Sequence, residues 1–203
     1  PHLLNDGRVV FTRRDYNDRG QSYGHTTMVM NPDGTGQAEY YGNNSSAPTS
    51  IQHIRPIPGS NKTMGIAGGY HTSQGGKLMT IDPSQGRQNY EGLSFYNWDP
   101  TPPIEVMNEN YCRVGEQFAY PYPFTEDSLL ISMSPIGAYM TRDDGFLENR
   151  KEQGNMLYNL YYMTLDGRRE LLASDPRLSC TQAVPVRPRT RPPVRPSLVD
   201  YTK

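Results

Sequence analysis

The stretch Thr27-Met28-Val29-Met30-Asn31-Pro32-Asp33-Gly34 is an apolar strand that runs into a tight polar turn. It recurs as Lys77-Leu78-Met79-Thr80-Ile81-Asp82-Pro83-Ser84 and as Leu160-Tyr161-Tyr162-Met163-Thr164-Leu165-Asp166-Gly167. In the first copy Pro32 presets φ for the turn and Gly34 accepts the positive φ that ends it. Each copy follows another strand that itself follows a turn marked by Gly or Asp. A unit of this kind cannot bury its apolar face alone, so its recurrence predicts a stacked or radial β array.

Working outward, the first unit opens at His2-Leu3-Leu4, turns at Asn5-Asp6-Gly7 and continues as Arg8 to Thr12, with Val9 and Phe11 on one face. The strand returning from the first hairpin is Gln37 to Tyr41. A second unit starts at Ile51-Gln52-His53-Ile54 and turns at Pro58 to Asn61; a third starts at Gln117-Phe118-Ala119-Tyr120 and turns at Thr125-Glu126-Asp127. The spacing from Met30 to Ile81 is 51 residues, and from Ile81 to Met163 it is 82. Propeller blades repeat at about 40–50 residues. The second spacing fits if residues 93–115 and 137–155 are inserted loops. The units expected are therefore 1–50, 51–116, 117–180, and 181–203 as the start of a further blade plus a Pro/Arg-rich connector. Short strands, absent helix signals and Gly/Pro/Asn/Asp turns favour an all-β propeller, with a β-sandwich as the alternative. Three blades and a fragment do not close a ring of four to eight. The chain is expected to be part of a six-bladed ring, or else to associate with copies of itself.

Composition narrows the function classes. The chain is 34% hydrophobic and 20% charged, with 19 Gly and 18 Pro, and its net charge of −1 gives no electrostatic case for nucleic acid or an anionic membrane. Tyr outnumbers Phe 15 to 5, as suits thin apolar layers whose phenols reach water. No apolar run is long enough to span a bilayer. The chain starts at Pro1 without Met, and it is read here as an excerpt of a longer precursor. Cys112 and Cys180 are too few for a disulfide framework or a metal cage; they read as thiols, with a single bridge as the alternative in an exported protein.

Asn5-Asp6-Gly7-Arg8 and Asn31-Pro32-Asp33-Gly34 resemble the blade turns of TolB-like propellers. Asp82-Pro83 and Leu165-Asp166-Gly167 match the second of these turns only, and Thr125-Glu126-Asp127 is a looser version of the first. Longer phrases are similar to the middle propeller domain of hydrazine-synthase-alpha-like proteins: Pro1 to Val9, Met30 to Asn44, Gly76 to Gly92, Tyr120 to Pro123 and Arg187 to Pro193. That resemblance implies a large exported bacterial protein, periplasmic or extracellular; in the family's namesake the propeller sits beside domains that bind c-type haem. The activity is not implied for this chain. Covalent haem needs Cys-x-x-Cys-His, and neither Cys112 nor Cys180 begins such a motif. No cofactor is expected in the chain itself, and haem only in neighbouring domains.

The remaining candidates come from side-chain chemistry. His2 and His53 lie near the starts of first strands, which line the channel of a propeller; with Arg55 and Tyr122 they form the candidate ligand site at the channel mouth. Tyr70 and His71 mark a loop-face candidate, and His25 falls before a strand. None of the histidines has ligand-pair spacing, so no metal is expected. Asp15, Asp18 and Asp33 lack the ladder of a calcium loop. There is no Gly-x-Ser-x-Gly, and Gly59-Ser60-Asn61-Lys62-Thr63 has the wrong glycine spacing for a phosphate cradle. The tail from Val184 to Pro196 alternates Pro with Arg and should be extended polyproline II, either a connector or a strip that binds anions or an SH3-type partner. The function expected is a non-catalytic scaffold or binding module that meets a partner protein, adjacent domains or a small ligand at its loop faces and channel mouth. The alternative is a propeller that completes or gates an active site in neighbouring domains, haem-dependent or peptidase-like.

Overall fold

Each recurring hairpin turns out to be the outer half, the third and fourth strands, of a four-stranded antiparallel meander. A computed structural model describes residues 1–14, 25–45, 47–69, 75–97, 115–135, 157–200 and 202. The first meander is β1 (His2–Leu3), β2 (Val9–Arg14), β3 (His25–Met30) and β4 (Ala38–Tyr41). In the second, β5 (Ser50–Pro56), β6 (Thr63–Gly68), β7 (Lys77–Ile81) and β8 (Leu93–Phe95) pair in order. The third comprises β9 (Gln117–Pro123), β10 (Ser128–Ser134), β11 (Asn159–Thr164) and β12 (Arg169–Ala173).

The meanders stack face to face as blades, with β1, β5 and β9 adjacent on the inner side. Side-chain parity explains the stacking. Along β6 and β7, Ala67, Met79 and Ile81 face the first blade and join Val10, Val29, Tyr40 and Tyr41 in one core. Their alternates Met64, Ile66 and Leu78 face the third blade and join Phe118, Leu129, Ile131 and Met163 in a second core. The middle blade is therefore dry on both faces, which is why Thr63–Gly68 is buried throughout. Two separate cores flanking one sheet are not the single inter-sheet core of a β-sandwich.

The blades are also tied through equivalent positions. The Asn5 amide donates to the Ile57 and Ser60 carbonyls at 2.7 and 2.9 Å, and Lys62 Nζ donates to Glu126 at 2.7 Å, linking the first turns of blades one to two and two to three. At the start of each third strand the backbone meets the next inner strand: His25 pairs with Ser50, and Gly76 with Phe118. A Cβ on Gly76 would sit 2.0 Å from the Ala67 carbonyl oxygen, so only glycine allows that approach. A third instance follows the last blade, where the Cys180 N–H donates to the Tyr158 carbonyl at 2.7 Å.

Inner strands β5 and β9 carry the same irregularity. Opposite β6 the register shifts between Gln52 and Arg55, and opposite β10 two residues of β9 face Ile131. The first extra residue in each case, His53 and Tyr120, has a left-handed φ of 53°. These are β-bulges with a non-glycine residue in the glycine conformation, an uncommon and strained arrangement. Gln182 has φ 57°. His53, Tyr120 and Gln182 each stand three residues before a proline, Pro56, Pro123 and Pro185. Gln182 thus repeats, after the third blade, the left-handed φ and the proline spacing of the two inner-strand bulges.

Two expectations need correction. Residues 93–115 are not wholly an insertion, because Leu93–Phe95 is the outer strand of the second blade, paired with Met79–Ile81. Three residues after a long polar hairpin leave too little alternation to read as a strand. Residues 98–114 and 136–156, which hold Trp98, Cys112 and most of both expected loops, lie outside the described residues. The connector is the second correction. Residues 174–200 form no strand, and instead of leading away they run back across the inner ends of all three blades. Arg195 donates to the Asp6 carbonyl, while the Ser197 hydroxyl and Leu198 N–H both donate to Asp33, at 2.9 and 2.7 Å. The Pro193 carbonyl passes so close to Gly7 that a Cβ there would lie 2.3 Å from it. Prolines deny the segment ladder hydrogen bonds, so it is held by side chains and isolated backbone donors.

Candidate functional site at the channel mouth

Three inner strands and the returning tail bring together four residues singled out by sequence: His2 on β1, His53 and Arg55 on β5, and Tyr122 on β9. The Arg55 guanidinium lies over the Tyr122 ring, 4.9 Å from its centroid. His53 stacks on Tyr120 at 3.8 Å between ring centroids, so the two bulge residues of neighbouring blades touch. The Tyr120 N–H donates to His53 Nδ1 at 3.3 Å. An accepting Nδ1 is unprotonated, which fixes a neutral imidazole with its proton on Nε2. Burial, reinforced by Arg55, pushes the His53 pKa down to about 4. His2 is likewise pushed down to about 4, first by burial and then by Arg55. Burial also lowers the Arg55 pKa, with Arg189 adding repulsion against the stabilising Tyr122.

A cavity of about 970 Å³ lies between the inner strands and the tail, lined by His2, Arg55 and Tyr122 on one side and by residues 187–193 on the other. A second, of about 410 Å³, reaches His2, His53, Arg55, Tyr120 and Gln182. At the outer edge between blades two and three, a further cavity of about 470 Å³ is lined by Leu78, Phe95, Tyr96 and Leu165, with Asp166 its charged group.

Sequence reasoning passed over several members of this site. Tyr120 is the bulge partner of His53, and the proline three residues later in each inner strand is the signal that could have found it. Phe124, just past β9, carries the Arg187 guanidinium 4.6 Å from its ring centroid. Tyr70 and His71, the loop-face candidates, lie outside the described residues, as do Asp15 and Asp18. His25 opens β3, half-buried at the first blade junction. Asp33 accepts from the Thr35 N–H and hydroxyl and so shapes its turn, besides holding the tail.

The donor set does not fit covalent haem. Cys180 is half-buried, its backbone holds the blade junction, and Thr181, Gln182 and Ala183 follow it. Among the described residues no three His, Cys, Asp or Glu side chains cluster as a metal site.

No protein-family model and no curated protein matches the chain. Among solved structures, the chain is similar to Kuenenia stuttgartiensis hydrazine synthase, with a TM-score of 0.54 at 16% identity. The fold is that of a β-propeller. At this identity the likeness shows the fold alone, and the resemblance expected from the sequence phrases is found at that level. The match covers 87% of this chain but 19% of the hydrazine synthase chain, so this chain spans about a fifth of that protein. Among the described residues no helix is long and apolar enough to cross a membrane.

Proposed function

We propose that the chain is a non-catalytic binding module, three blades of a six-bladed propeller in a larger exported bacterial protein, with its ligand or partner met at the channel mouth. One observation carries this reading. The inner strands spend two left-handed, non-glycine residues to stack His53 on Tyr120 beside a cavity of about 970 Å³, and strain of this kind is kept where a site is held in place. The periplasmic or extracellular location follows from the sequence resemblance, and any haem would belong to neighbouring domains.

Amide NMR on the labelled chain, screened against a panel of small anions, cations and neutral metabolites, tests the proposal. Ligands are expected to shift the inner-strand amides of residues 50–56 and 117–123. Hits confined to outer strands, or no hit at all, would refute it.

A further inference from the structure

The channel-mouth cavity is charged in a way that the fold does not need. Arg55, Arg187, Arg189 and Arg191 line it together with His2, and among the described residues no acidic side chain does. Two of these guanidiniums lie over aromatic rings, Arg55 over Tyr122 and Arg187 over Phe124, and the two rings are themselves neighbours, with centroids 5.7 Å apart. Stacking occupies the face of a guanidinium and leaves the in-plane N–H fork free. Among the described residues neither the Arg55 nor the Arg187 guanidinium meets a carboxylate or makes a hydrogen bond. Arg55 is half-buried and the three tail arginines are exposed; Arg189 repels positive charge on both His2 and Arg55.

Five N–H donors per arginine, carried over two adjoining rings, suit a ligand with two oxyanion groups better than one with a single group. An isolated halide or a neutral sugar would leave the forks unpaired. The tail contributes a third and fourth cation from Arg189 and Arg191, and its prolines keep that wall stiff, which lowers the ordering cost of binding.

The geometry points to an anion site in which Arg55 and Arg187 grip a small multivalent oxyanion, a polycarboxylate or an oligophosphate, beneath the Pro/Arg tail. This deepens the channel-mouth reading and rests on it. Titration calorimetry of the chain at low salt, with citrate and tripolyphosphate as separate arms and glycerol and spermine as controls, tests it. One anion per chain is expected with at least one of the two, and which one binds identifies carboxylate or phosphate as the natural group. Arg55→Gln and Arg187→Gln should each weaken binding about tenfold, while Lys62→Gln leaves it unchanged. On the unaltered protein, the bound anion should protect Arg55 and Arg187 from phenylglyoxal, read by mass spectrometry, which holds even if a variant fails to fold. Failure of both anions, equal loss in Lys62→Gln, unprotected arginines, or binding of spermine or glycerol in their place would overturn the inference. If neutral ligands shift the inner strands in the NMR screen while both anions fail, the anion site falls and the channel-mouth reading stands.

Discussion

Acidification from pH 7 to pH 5 should destabilise the protein through His2 and His53. Both imidazoles sit at about 4 in the folded chain, against 6.5 when free. Because the folded pKa is the lower one, the unfolded chain takes up protons that the folded chain refuses. The stability contributed by the two neutral rings is complete above about pH 6.5 and is lost as pH falls towards 4. For a fully screened-off site the linkage gives about 1.8 kcal/mol at pH 5. Both rings keep partial contact with solvent, so we take about half of that, ~1 kcal/mol each and ~2 kcal/mol together. His25, also lowered by burial, adds in the same direction. The perturbation is the double variant His2→Gln/His53→Asn. Asn tolerates the left-handed φ, and its oxygen can accept from the Tyr120 N–H. Urea unfolding at pH 7, 6 and 5 should show wild type losing ~2 kcal/mol and the double variant losing well under half of that. The carboxylates held low by hydrogen bonds, such as Asp82 and Glu126, protonate below this window and do not confound it. Equal losses in the two proteins would refute the reasoning.

Further outcomes follow from the blade contacts. Phe118→Ala opens the core between blades two and three and should cost about 3–5 kcal/mol by urea unfolding; a loss under ~1 kcal/mol would mean that the blades do not share that core. Gln182→Gly relieves an exposed left-handed residue and should stabilise the chain by about 0.5–1 kcal/mol, whereas destabilisation would show that Gln182 does not hold a strained left-handed φ. Asp33→Ala removes the acceptor of Ser197 and Leu198, so trypsin should cut the Arg189–Thr190 bond, where the arginine is not followed by proline, several-fold faster; an unchanged rate would show that the tail is held elsewhere.

The alternation in Thr27–Met30, Lys77–Ile81 and Leu160–Thr164 and the turns that close those strands were enough to set the fold class, because strand faces and turn backbone are local properties of residue type. The same locality placed His2, His53 and Arg55 on inner strands. It could not show Leu93–Phe95 as a strand, since three residues become one only when β7 offers its open edge. Nor could it show that His53 stacks on Tyr120 or that Arg187 reaches Phe124, because these pairs lie 67 and 63 positions apart in sequence and meet only when separate blades and the tail are packed. Local chemistry therefore wrote the blades. The site at their centre depends on the returning tail, whose course is decided by side chains of other blades and not by its own prolines.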